Sequence, residues 1–221
     1  MVRTFQPRFD ELPDTVPVFP LTGALLLPGG RLPLNIFEPR YLSMVEDALA
    51  AGRLMAMVQP RGDEAETQEA TPALYDVGCL GRIISFEETP DGRLLITLLG
   101  LNRCRLGEEL PLTRGYRRVR ADYAPYPRDL DDTAPVDINR DKLFAALKPF
   151  AAGHGLSFNW DIMREVETRP LITSLAMACP FEPREKQALL EAETPQARAE
   201  LMLALLEMGA IGATAGGGAR Q

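Results

Sequence analysis

Histidine occurs once in this 221-residue chain, at His154, and cysteine three times, at Cys79, Cys104 and Cys179. A single histidine removes most zinc sites and the triads that need a histidine base. An odd set of cysteines with no C-x-x-C spacing reads as small buried thiols in a reducing compartment, not as a disulfide framework. Lysine is equally scarce: Lys142, Lys148 and Lys186 are the full set, and none follows a glycine. A phosphate-binding P-loop, which ends in Gly-Lys-Ser/Thr, is therefore missing. No G-x-G-x-x-G opens a helix either, since Gly216 to Gly218 fall in the terminal stretch. No cofactor and no metal are expected.

Positive charge is in deficit. The 24 Lys+Arg against 31 Asp+Glu leave a net charge of −7 and a pI near 4.9. A chain this acidic lacks overall attraction for nucleic acid or an anionic membrane surface. Its longest uncharged stretch, Thr15 to Gly30, is broken by Pro17, Pro20 and Pro28 and is too short to span a bilayer. Arg3 and Arg8 precede Asp10 and Glu11 with no apolar run after them, so no secretory signal is expected and cytoplasm is the default.

Catalytic pairs are also hard to find. His154 stands alone in Ala151-Ala152-Gly153-His154-Gly155 and reads as a loop or helix-end residue. A Ser174–Lys186 dyad would need Ser174 to emerge from a run that reads as buried. Glu87-Glu88 and Glu108-Glu109 are neighbours that point apart on a strand, unlike a catalytic pair. No catalytic residue is assigned.

What is present is a core and two periodicities. At this length folding buries about 72% of the unfolded chain's surface, enough for a core without disulfides, and 46% of the residues are hydrophobic. Up to about residue 124 the pattern is strands and turns. Val16 to Leu21 is β-favouring, with prolines that suit an edge. Leu32, Leu34 and Ile36 alternate with Pro33, Asn35 and Phe37. Val77 to Phe86 and Leu94 to Leu99 flank Asp91-Gly92, the strongest hairpin signal in the chain. Tyr116 to Tyr123 alternates again. One helix interrupts: Pro39 suits a first helical position, Leu42, Val45 and Leu49 recur at helical spacing, and Gly52 stops it. Arg61 to Thr71 reads as a solvated loop. Tyr123 to Asp132, rich in proline and acid, reads as an exposed linker.

Beyond it the pattern is helical. Leu143, Phe144, Leu147 and Phe150 share one face, Asn159 and Thr194 are N-cap candidates, and Leu171 to Cys179 is apolar nearly all round. The expected division is 14–124 for a β-barrel subdomain with one inserted helix, 136–209 for a helical bundle, and 210–221 for a flexible tail. The fold class is α+β. Two surfaces stand out for binding. Leu25, Leu26 and Leu27 lie beside the Pro28-Gly29-Gly30 turn and read either as a peptide-binding patch or as a barrel-closing strand end. If the segment is extended, at least one of them should stay at the surface. Arg103, Arg105, Arg117, Arg118 and Arg120 form an alternative basic surface, with Arg114 beside them.

These residues resemble the N-terminal domain of Lon proteases in its stand-alone bacterial form. The resemblance is carried by Pro17-Val18-Phe19-Pro20-Leu21, by Leu34-Asn35-Ile36-Phe37-Glu38-Pro39-Arg40-Tyr41 and by Val77-Gly78-Cys79-Leu80-Gly81. Asp91-Gly92-Arg93, Gly100 to Arg105 and Glu185 to Glu191 with Arg198 continue it in family order. Asn35 stands where the family often has histidine, and Cys104 where it often has phenylalanine. The resemblance implies a PUA-like β pseudo-barrel followed by a C-terminal helical bundle. It implies a non-enzymatic module that recognises unfolded or degron-bearing polypeptides, as an adaptor for a separate ATP-dependent protease, without the ATPase motor and Ser–Lys peptidase of Lon. Because PUA-like barrels include RNA readers, an RNA-binding module is the alternative.

Overall fold

In the computed structural model, which describes residues 7–62, 71–130 and 134–216 with side chains through residue 209, the strand-forming half pairs into one sheet. Its elements are β1 (Thr15–Pro20), β2 (Arg31–Ile36), α1 (Pro39–Ala50), β3 (Leu54–Val58), β4 (Val77–Glu88), β5 (Leu94–Thr113) and β6 (Tyr116–Asp122). The order is β2-β5-β4-β3-β1-β6, and β5 also pairs with β6, so β5, β4, β3, β1 and β6 close a ring. Closure depends on the 20-residue length of β5. Leu94 to Leu99 pair with β2, and the stretch from Arg105 to Thr113 pairs with β6. β1 and β3 run parallel, joined by a crossover through β2 and α1; the other pairings are antiparallel. Ring strands lend Val16, Val18, Ala56, Val58, Leu80, Leu101, Cys104 and Val119 to one buried cluster.

The Ile36-to-Tyr41 run is the entry to α1. Ile36 is buried, Pro39 occupies the first helical turn, and Glu38 pairs with Arg40 at 2.8 Å. Tyr41, Met44, Val45 and Ala48 form the buried face of α1, and the Tyr41 ring meets Phe19 edge-on at 4.4 Å.

Leu25, Leu26 and Leu27 are all buried, at 2%, 2% and 0% exposure, which corrects the expectation that one would remain outside. The reason lies in two glycines on neighbouring strands. Gly81 and Gly100 face each other in register across β4 and β5 and leave a slot. Leu26 fills it: a Cβ on Gly81 would lie 2.8 Å from its Cδ2 and one on Gly100 3.3 Å from its Cδ1. The Leu27 carbonyl oxygen would be 2.0 Å from that Gly100 Cβ. Gly29 N–H donates to Gly100 O at 2.9 Å and Gly100 N–H to Gly30 O at 2.8 Å, so the segment is fastened along its backbone as well.

The chain divides into two compact units, Met1–Asp132 and Thr133–Gln221. The second unit holds α2 (Arg140–Gly153), α3 (Trp160–Glu165), α4 (Thr168–Ala178), α5 (Pro183–Glu191) and α6 (Pro195–Gly216). Asn139, Asn159 and Thr194 accept hydrogen bonds from the N–H groups of Lys142, Ile162 and Ala197 and so cap α2, α3 and α6. Leu143, Leu147, Leu171, Leu175, Leu189, Met202 and Leu206 are buried. Buried Arg198 donates from Nε to Leu189 O at 2.7 Å, satisfying a carbonyl of the last turn of α5. Helix α6 continues to Gly216, past the point where the sequence reading begins a flexible tail; residues 217–221 lie outside the described residues. Among the described residues no helix is long and apolar enough to cross a membrane.

Two outcomes follow from this packing. Gly100→Ala forces a methyl group against the Leu27 carbonyl; overpacking of this kind costs about 1–3 kcal/mol, so the melting midpoint of the β unit should fall by several degrees in calorimetry. A midpoint within a degree of the parent would refute the slot. All three cysteines are buried, and burial pushes the Cys104 and Cys179 thiols up to about 12. Thiol-disulfide reagent at pH 8 should therefore leave the native protein unlabelled over minutes and titrate three thiols once denaturant is added.

Candidate functional site

The β4–β5 turn is locally over-determined. Thr89 N–H donates to Arg93 O at 2.9 Å, Gly92 N–H donates to Thr89 O at 3.0 Å, and Gly92 sits at φ 81°, where a side chain would be strained. Asp91 accepts from Arg93 and from the Thr89 hydroxyl. The Arg93 hydrogen bond, then that of Thr89, holds the Asp91 carboxyl well below the usual carboxylate range. The hairpin tip is thus fixed, and the strands behind it can project.

They project past the barrel. The β3 ladder reaches β4 only up to Leu54↔Arg82. Beyond it, the far end of β4, the start of β5 and β2 run on as a three-stranded ribbon. Residues in register share a face. One face carries Leu34, Ile96 and Phe86 and, a step further in, Leu32, Leu98 and Ile83. Ile96, Leu98 and Ile83 are buried. The opposite face carries Asn35, Leu95 and Glu87 in one row, then Pro33, Thr97 and Ser85, then Arg31, Leu99 and Arg82. An open groove of about 450 Å³ lies against the ribbon, lined by the first two of these rows with Leu34, Ile96 and Phe86. Leu95 is 41% exposed in it, and Phe86 is 56% exposed. Ile84 and Phe37 add further exposed apolar surface at the same end. Single exposed apolar residues are ordinary; several on one projecting ribbon make it the candidate for a binding surface. The arrangement offers apolar contact and a carboxylate, and among the described residues no group of His, Cys, Asp or Glu is placed to hold a metal.

The arginines anticipated as a basic surface are dispersed. Arg103 is buried: its backbone N–H and Nε donate to Asp129 Oδ2 at 2.9 and 2.8 Å, its Nη2 to Oδ1 at 2.9 Å, and it lies 4.4 Å over the Tyr126 ring. Burial opposes its charge, yet the Asp129 hydrogen bonds and charge win and raise its pKa. Arg117 binds Glu109 through two nitrogens and Pro72 O through a third. Arg114 bridges Glu46 and Asp47 on α1. Arg118 reaches Pro111 O, Arg120 reaches Thr15 Oγ1, and Arg105 is exposed opposite Asp122. Asp129 also corrects the linker reading, because Tyr123 to Leu130 packs on the barrel. Tyr123 is buried with its hydroxyl donating to Pro13 O at 3.1 Å, and Asn102 Nδ2 donates to Tyr126 O at 3.2 Å. Arg61 and Gly62 and residues 71–75 border the anticipated loop, whose residues 63–70 lie outside the described ones.

Ser174 is exposed on α4, contrary to the buried run expected, while Lys186 is buried on α5. His154 stacks on Phe150 at 4.2 Å, and its Nδ1 lies 2.9 Å from Phe150 O, a helix-end role. Sequence reasoning passed over the ribbon because Phe86 and Leu95 look like strand interior. The available signal was Glu87-Glu88 directly after Phe86, which marks a strand leaving the core.

A small barrel with an unpaired apolar ribbon, and a separate helical unit, define a binding module in form. Residues 15–208 match the sequence profile of the ATP-dependent protease La (LON) substrate-binding domain, and the chain belongs to that family. It is 29% identical over 203 residues to Lon protease 2 of Thermus thermophilus, covering 89% of this chain and 24% of that protein. Lon protease 2 of Myxococcus xanthus is 27% identical, with 89% of this chain and 24% of the relative aligned. The chain thus spans about a quarter or less of the curated relatives it matches. Its fold is similar to that of the Lon N-terminal domain protein from Xanthomonas campestris. The TM-score is 0.59 at 22% identity, over 86% of this chain and 97% of that one.

The buried Arg103–Asp129 pair generates a prediction of its own. Removing one partner of such a pair strands the other charge and costs about 3–5 kcal/mol. Asp129→Ala should lower the denaturation midpoint of the β unit and make the 123–130 segment the first site of limited proteolysis. Asp129→Ala with an unchanged midpoint would show the pair to be dispensable.

Proposed function

We propose that this chain is a non-enzymatic polypeptide-binding module that recognises unfolded or degron-bearing proteins, with the β2–β5–β4 ribbon as its client surface. The observation that carries this reading is the apolar surface the ribbon leaves exposed, Leu95 on one face and Phe86 on the other, beside an open groove that both line. Membership of a substrate-binding family supports it. So does the disposition of Ser174, exposed, and Lys186, buried, which opposes a serine–lysine dyad. Delivery of clients to a separate ATP-dependent protease, in the cytoplasm, completes the proposal. Leu25, Leu26 and Leu27 would serve it from within, by holding β4 and β5 together. The RNA-binding alternative has less behind it: Arg103 and Arg117 are engaged by carboxylates, and the net charge is −7.

Burying an exposed leucine or phenylalanine contributes about 1.5–3 kcal/mol, or about ten- to a hundredfold in affinity. Because Leu95 and Phe86 are only 41% and 56% exposed, part of that gain is already made in the free protein, and Leu95→Ser and Phe86→Ser should each weaken binding of permanently unfolded, carboxymethylated α-lactalbumin by about three- to tenfold at an unchanged melting midpoint. Unaltered affinity in both variants would overturn the choice of surface. Salt-sensitive RNA binding with no affinity for the unfolded protein would favour the alternative.

A further inference from the structure

The exposed face of the ribbon is graded in charge along its length. Glu87 stands in the row nearest the hairpin tip, beside Leu95, and Glu88 follows it on the same strand. Two rows inward, Arg31 is exposed on β2, in register with Leu99 and, across it, with Arg82 on β4. Between them lie only Pro33, Thr97 and Ser85. Leu95 and Leu99 are four positions apart, which in an extended strand is about 13 Å. Side chains on one face of a bound extended chain repeat at the same spacing, so a carboxylate and a guanidinium here can both be met by residues four apart in the guest.

We propose that the groove, together with exposed Arg31 one row beyond its lining, selects an extended polypeptide segment with an apolar centre, a basic residue at one end to meet Glu87, and an acidic residue about four positions away to meet Arg31. This rests on the polypeptide-binding reading and adds a specificity rule to it. Leu95 supplies the apolar contact that any exposed hydrophobic segment would satisfy. The two charges decide which such segments are preferred, because the wrong sign at either end places like charges together on a partly desolvated surface. Either chain direction satisfies the rule, since it is the pairing of ends with charges that counts.

The test uses the full chain and four fluorescein-labelled synthetic peptides with the same leucine–threonine centre: neutral, lysine-ended, glutamate-ended, and carrying both charges four positions apart. Each matched charge should strengthen binding about two- to fivefold, as partly exposed ion pairs do, and less at high salt. Glu87→Gln should erase the gain from lysine alone, and Arg31→Gln the gain from glutamate alone. Both variants should melt at the parent's midpoint, and each should keep the gain from the peptide charge that it does not meet. Equal affinity for all four peptides, with Leu95→Ser still weakening them, would overturn the charge rule and leave the polypeptide-binding reading standing. No binding of any peptide would overturn both.

Discussion

One strand has to serve two ladders, and the β unit is built around that demand. β5 pairs with β2 at its beginning and with β6 at its end, while β4 follows its other edge from Leu94 to Arg105. The handover falls at Gly100, just past the Arg31↔Leu99 pair and before Arg105↔Asp122. In that gap the edge of β5 would be left without hydrogen-bond partners. The Gly29-Gly30 turn fills the gap by exchanging backbone hydrogen bonds with Gly100. Only a residue without Cβ permits the approach, because the Leu27 carbonyl occupies the space a side chain would need. Gly81, in register, admits Leu26 beside it. The barrel closes because the strand changes neighbours, and it changes neighbours where two glycines allow a third segment in.

The same geometry explains the ribbon. β2 is committed to the first part of β5 and cannot also cover the far end of β4, while β3 stops at Arg82. The three strands beyond are therefore held by one another and by the fixed hairpin turn, with one face turned away from the core. Edge protection is visible: a register shift lies between Ile83 and Ser85, and Glu87 and Glu88 follow. Bulges and charges on an edge discourage pairing with another sheet. They leave side-chain contact on the open face unopposed.

Much of the scaffold was legible from sequence, and the misses share a cause. The D-G hairpin, the helix behind Pro39, and the Asn159 and Thr194 caps depend on local chemistry, and local chemistry is what a sequence displays. β3 was overlooked because Leu54-Met55-Ala56-Met57-Val58 carries weak β propensity and owes its conformation to neighbours on both sides. The leucine triplet was judged by its turn, with no means of seeing a slot made by glycines far away in sequence. The arginine cluster is a matter of proximity along the chain, whereas in the fold Arg103 is covered by Asp129, Arg117 is held by Glu109, and alternation on β6 sends Arg117 and Arg118 to opposite faces. The acidic stretch after Tyr123 looked like linker because its one decisive partner, Arg103, lies on another strand.

Charge shows how composition and placement diverge here. The chain is acidic overall, yet several of its arginines hold elements together: Arg103 fastens the segment after β6, Arg114 fastens α1 to the β5–β6 turn, and Arg198 closes the end of α5. Arginine suits this work because its planar fork satisfies a carboxylate or several carbonyls at once, which a lysine ammonium does with less directional fit. With so few lysines and with those arginines engaged, the surface is left with a surplus of carboxylates. An apolar groove on such a surface repels other acidic copies of the same chain at the distances where encounters are decided.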